Sequence, residues 1–185
     1  LANHYSTSIT PIRDTLQRLS QEGLITVKPR SGYFITQITV KELRDMFELR
    51  NILELAALER TLVHITDDQL ARLRNIHRGY TGDDDESYDR YTEENRRFHY
   101  LLAEASGNQE LAHSLGRLLD RLARFMVIRH AGKTLAETHE RILDGLQNRD
   151  MAASRTALLD DIENTFEISL ERIIQTEGSA WHVEI

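Results

Sequence analysis

Arg13 stands on the first turn of a helix that Thr10 can cap and Pro11 can open, since proline at that position gives up an N–H that has no partner anyway. An arginine so placed can offer two parallel N–H donors to a guanine edge when the helix N-terminus enters a DNA major groove. Ser8 and Thr10, beside the free backbone N–H groups of the helix start, suit phosphate oxygens. Arg30, followed by Ser31 and Gly32, lies at the tip of a basic hairpin that can enter the minor groove or grip phosphate. The bland alternative is a small α/β cap on which these residues are merely solvated.

The elements that would hold these residues follow from the local sequence. Leu1 to Tyr5 reads like the end of a helix, with the polar turn Ser6-Thr7-Ser8 after it. The next helix carries Ile12, Leu16 and Leu19 on one face and stops at Gly23, which supplies a left-handed cap. Leu24-Ile25-Thr26-Val27 and Tyr33-Phe34-Ile35-Thr36 are β-prone runs on either side of Lys28 to Gly32. Helix, turn, helix and hairpin make a winged helix-turn-helix. The opening Leu1-Ala2-Asn3-His4 reads like mid-helix, so the chain is expected to continue upstream.

Charge separates this head from the rest. The net charge is −7, yet the first 38 residues carry four basic and two acidic side chains, which leaves −9 for the remainder. Both prolines, Pro11 and Pro29, also fall there. A small basic head on an acidic body expects only the head to meet a polyanion. The absence of cysteine excludes disulfides, zinc ribbons and thiol nucleophiles. No apolar run has the length of a membrane span, so no membrane partner is expected.

The body, 39–176, has apolar residues at helical spacing, as in Leu43, Met46, Phe47, Leu49, Ile52, Leu53 and Leu55. Breaks at 79–85, 107–108, 132–133 and 148–150 divide it into helices near 39–64, 67–78, 86–105, 108–131, 133–147 and 150–175. This predicts an all-α bundle and a mainly α protein, with 177–185 as a frayed tail. The run Asp83-Asp84-Asp85-Glu86 reads as a solvated loop, because it lacks the alternation of a calcium loop.

Ser8-Ile9-Thr10-Pro11-Ile12-Arg13-Asp14-Thr15-Leu16, then Leu19, Glu22-Gly23-Leu24-Ile25 and Arg30-Ser31-Gly32-Tyr33-Phe34-Ile35, resemble the head of the GntR family, S-R-T-P-V-R-E-A-L…L…E-G-L…R-x-G-x-x-V. Ile9 stands where the family has its first arginine, which removes one DNA contact that the resemblance implies. By the same pattern the family's first helix and the start of its second would precede Leu1. The body resembles the FadR-type C-terminal domain (FCD) over about 40–175. The motifs are Leu49-Arg50-x-x-Leu53-Glu54-x-x-Ala57, Asn95-x-x-Phe98-His99-x-x-Leu102, Ala105-Ser106-Gly107-Asn108, His139-x-x-Ile142-Leu143 and Asp150-x-x-Ala153.

The resemblance implies a dimeric transcriptional regulator, a repressor in the first instance, in the cytoplasm of a bacterium or archaeon and associated with the nucleoid. It implies a double-stranded DNA operator and a bundle that takes a small carboxylate effector beside a divalent metal. The family's Asp and three His fall at Asn95, His99, His139 and Asp161 here. Two imidazoles, a carboxylate and an amide can hold Zn, Ni, Mn or Fe. Arg50 can pair with the effector, or with Glu54 one turn on.

Periodicity gives a separate check. His139 shares a face with Leu135, Ala136, Ile142 and Leu143, and Asp161 shares one with Leu158 and Ile162, so both face inward, whereas Asp160 faces outward. His99 has a mixed face with Asn95, Arg96, Leu102 and Ala103. His113 reads as surface, and Asn108 caps the turn after Gly107. Two other readings stand beside the metal-dependent regulator. One is a regulator with a metal-free organic pocket. The other is a metal-dependent hydrolase, disfavoured because the pocket has no evident spare general base.

Overall fold

The first helix of the computed structural model, α1 (Ile9–Gln21), begins two residues earlier than the Thr10 cap anticipated. Ser8 takes the N-cap position in extended conformation, without a side-chain cap bond, and Pro11 becomes the third helical residue. Proline is tolerated there for the reason already given, since every N–H of the first turn lacks an intrahelical partner. The other end is as anticipated. Gly23 has φ +74°, the Leu24 N–H donates to the Leu19 carbonyl at 2.9 Å, and the Gly23 N–H donates to Ser20 at 3.1 Å. That pair of bonds is a Schellman motif. Leu16 is buried, with Ile12 and Leu19 half-buried on the same face.

Strands β1 (Ile25–Lys28) and β2 (Gly32–Ile35) pair antiparallel, Ile25 against Ile35 and Lys28 against Gly32. The turn closes through the Ser31 N–H on the Lys28 carbonyl at 3.0 Å. Arg30 there has φ +64°, the left-handed conformation usually left to Gly or Asn.

The structure describes residues 8–36, 39–76, 85–123, 132–176 and 182–183. The expected helix end at Leu1 to Tyr5, residues Asp83-Asp84 and the expected helix beyond Ala123 lie outside them. By its contacts the chain divides into two compact units, Leu1–Thr39 with Gln175–Ile185, and Val40–Ile174. The frayed tail is corrected at one point. His182 and Val183 form a strand, β3, antiparallel to β2, with Tyr33 opposite Val183 and Phe34 opposite His182. The free edge of a two-stranded hairpin offers unpaired N–H and C=O groups, and a late segment has taken it up.

The second unit is helical. It consists of α2 (Val40–His64), α3 (Asp67–Arg74), α4 (Asp85–Glu104), α5 (Gln109–Ala123) and α6 (Gly132–Gln147), with α7 (Met151–Thr176) running out of it. Thr66 and Gln69 start α3 with a capping box, and the helix stops at Asn75, earlier than the spacing predicted. Asn108 caps α5, accepting the Leu111 N–H at 3.2 Å, while Gly107 turns the chain at φ +74°. Ala57, Ala103, Ala112, Leu115 and Leu119 pack α2, α4 and α5 into one core. Its small residues let the backbones approach closely.

The α6–α7 corner is closed by Arg149 at φ +57°, with the Asp150 N–H on the Gly145 carbonyl at 2.8 Å. Left-handed backbone is unfavourable for arginine. Here it aims the guanidinium at the Leu62 and Ile65 carbonyls, which end α2. Among the described residues no helix is long and apolar enough to cross a membrane.

Candidate ligand site in the helical body

α2 turns one stripe inward: Leu43, Met46, Phe47, Arg50, Glu54, Ala57, Leu58 and Thr61. Two of these eight are charged, one turn apart, and both are fully buried. α4 adds Asn95 and His99, again one turn apart on one face; α6 adds His139 and α7 adds Asp161. All six are at most 1% exposed. Asp160 instead pairs with Arg141 at 2.9 Å at the surface, and His113 is exposed, as the helical faces predicted.

Glu54 organises the cluster. One oxygen accepts the Arg50 Nε–H at 2.6 Å, and the other accepts from His99 Nδ1 at 2.6 Å. Holding Nδ1 directs His99 Nε2 to the far side, the arrangement in which a carboxylate orients a metal-binding imidazole. Nε2 then lies 3.0 Å from Arg50 Nη2 and 3.1 Å from Asp161 Oδ2. His139 Nε2 is 3.3 Å from Asp161 Oδ1. The His139 ring is fixed by stacking on Phe98, with centroids 3.9 Å apart and planes within 5°. Ligand atoms of His99, His139 and Asp161 all lie within 4.8 Å of one another, a spacing that one divalent ion can span.

Burial opposes charge on Asp161, Glu54, His99 and His139, and their neighbours decide which keep it. For Asp161 burial is outweighed by His139 and His99, which hold its carboxyl well below the usual range. Glu54 is likewise lowered, because His99 and Arg50 overcome its burial. His99 is also opposed by burial, yet Glu54 and Asp161 raise it. His139 goes the other way, since burial lowers it more than Asp161 restores.

Buried atoms without a hydrogen-bond partner here include both acceptors and donors. Asp161 Oδ1 and Asn95 Oδ1 are acceptors; Arg50 Nη1 and Asn95 Nδ2 are donors. Orphans of both kinds leave room in the chemistry for a cation and for an anion. The two imidazoles and the carboxylate therefore fit the donor set of a divalent ion, and Asn95, one turn before His99 on α4, carries a further unpartnered amide oxygen. The sequence reading missed the part of Glu54. That residue stood in the Leu49-Arg50-x-x-Leu53-Glu54 motif, one turn after Arg50, where it reads as a helical ion pair. Both Glu54 oxygens are engaged, by Arg50 and by His99, so Glu54 is not a spare general base.

The residues expected from the sequence to meet DNA form no such cluster. Ser8, Thr10, Arg13, Arg30 and Ser31 are exposed and Gly32 is half-buried. Arg13 and Thr10 share the first turn of α1; Arg30 and Ser31 lie at the hairpin tip.

The FCD domain model matches residues 45–164, and that of bacterial regulatory proteins of the gntR family matches residues 1–35. The chain belongs to the GntR-family regulators with an FCD domain: it is a DNA-binding transcriptional regulator, not an enzyme. Among relatives, the HTH-type transcriptional repressor RspR of Escherichia coli is 27% identical over 186 residues, spanning 97% of this chain and 80% of its own. The Nta operon transcriptional regulator of Aminobacter aminovorans is 28% identical over 174 residues, 94% of this chain and 83% of its own. Of solved structures, E. coli McbR/YncC has the same fold with a TM-score of 0.78, at 21% identity over 92% of this chain and 84% of its own.

Proposed function

We propose that residues 39–176 bind one divalent metal ion, Zn, Ni, Mn or Fe, together with a small carboxylate effector, and that this ligand state sets the grip of residues 1–38 on a DNA operator. The observation that carries the reading is the grouping of His99, His139 and Asp161 ligand atoms within 4.8 Å of one another, beside a buried guanidinium with an unpartnered Nη1. His99, His139, Asp161 and the Asn95 oxygen would hold the ion. The ion supplies a fixed positive charge for the effector carboxylate, and Arg50 Nη1 supplies a directed donor. Phe98 and Glu54 keep the two imidazoles in place.

A homodimer is part of the reading. α2 carries a second apolar stripe on its outer side, Leu49 at 45% exposure, Ile52 at 58% and Val63 at 68%, with Ala56 exposed between them. The spacing is that of a helix–helix seam, which a second copy would cover. Two heads would then meet half-sites about one DNA turn, roughly 34 Å, apart. Repression is the sign taken here, as in the name of RspR. The effector can act only through unequal affinity for the two arrangements of the heads. The test selects duplexes from a random pool with the full chain, then measures their binding with chelator, with Ni2+, and with Ni2+ plus small carboxylates. Affinity that changes at least fivefold between these states is expected; equal affinity in all of them contradicts the reading.

A further inference from the structure

Arg50 touches the same atom that a metal would need. To bind a metal with its Nδ1–H held by Glu54, the His99 ring must offer its single lone pair on Nε2, lying in the ring plane. Arg50 Nη2 stands 3.0 Å from that nitrogen and 3.4 Å from Asp161 Oδ2, so one N–H group lies against two of the three grouped ligand residues. One lone pair cannot serve an N–H and a metal together. We infer that Arg50 holds the cation position of this site, so that a divalent ion and its guanidinium exclude each other at His99 Nε2 and metal binding releases the guanidinium to a carboxylate.

The inference rests on the metal reading above and adds an order to it. Nε stays anchored on Glu54 Oε1 at 2.6 Å, which keeps the side chain from leaving the cluster. Nη1 already lacks a partner. Once Nη2 is displaced, the two Nη groups form a fork of the geometry that binds a carboxylate through two parallel bonds. Metal therefore raises carboxylate affinity, and by reciprocity carboxylate raises metal affinity.

The test titrates Ni2+ calorimetrically into the chelator-treated full chain and into Arg50→Met, each with and without acetate. The variant is expected to bind Ni2+ at least tenfold more tightly than the wild type. Acetate is expected to tighten Ni2+ binding severalfold in the wild type and not in the variant. A variant of wild-type helicity whose Ni2+ affinity is unchanged or weaker overturns the inference and leaves the metal reading standing. No Ni2+ binding by either protein overturns both. If Arg50→Met does not fold, the wild-type arm decides alone, and a Ni2+ affinity indifferent to acetate sinks the proposal.

Discussion

The residues proposed to meet DNA stand in water; those proposed to hold a ligand are kept out of it. Ser8, Thr10, Arg13, Arg30 and Ser31 are all exposed, whereas Arg50, Glu54, Asn95, His99, His139 and Asp161 are at most 1% exposed. A surface that reads a polyanion is solvated until its partner arrives, so its residues owe nothing to one another. A buried pocket must balance its charges internally beforehand, because an unpaired ion in the interior is costly. Substitutions in the head should therefore change binding and spare stability, while those in the body should change both.

The widest separation is expected from Glu54→Ala against Arg13→Ala. Removing Glu54 strips a buried guanidinium and a buried imidazole of their shared partner, and should cost about 3–5 kcal/mol in urea denaturation. Arg13→Ala should stay within about 0.5 kcal/mol of the wild type. Equal stability of the two variants would break the contrast. Acidification probes the same difference. Glu54 and Asp161 have folded-state values below their unfolded ones. Their contribution is thus complete above the ordinary carboxylate range, near pH 4, and is lost as pH falls through the lowered values. Denaturation of chelator-treated wild type and Asp161→Asn across that range should show a shallower acid limb in the variant.

Two glycines sharpen the contrast at smaller scale. A Cβ at Gly145 would stand 2.7 Å from the Ser154 backbone nitrogen, so Gly145→Ala must spread the α6–α7 corner, at about 1–3 kcal/mol. Gly23 in the head meets nothing within 4 Å and has only its φ of +74° to defend. Gly23→Ala should cost about 1 kcal/mol, and thermal melts of the pair would rank them.

How far the sequence discloses each region follows from the same contrast. Local rules suffice for the head: Gly23 as a cap and Lys28 to Gly32 as a turn each depend on residues within one turn of chain. What they missed was register, since Ser8 and Thr10 are both good caps and Pro11 is tolerated throughout the first turn. β3 escaped because its partner, β2, lies some 150 positions away, beyond any local rule. In the body, helical faces distinguish Asp161 from Asp160, and the resemblance nominates His99 and His139. Glu54 remained hidden because its second partner, His99, is 45 residues distant, while its nearer partner Arg50 already explained it.

DNA binding supplies the smaller effects. Arg13→Ala should lose about 1–3 kcal/mol on selected duplexes and relax one base position, with the melting temperature unchanged. Arg30→Ala should reduce the slope of log affinity against log salt by about one and weaken all duplexes alike. A base-specific loss at Arg30 would instead place the hairpin tip in a groove.

The most direct test of the buried site is metal analysis of the purified chain after incubation with Zn2+, Ni2+ or Mn2+ and removal of the free ion, beside His139→Ala. About one divalent ion per chain in the wild type, lost in the variant, is the predicted result. No bound ion in the wild type with any of the three metals would contradict the account and leave the cluster as a pocket for an organic ligand alone.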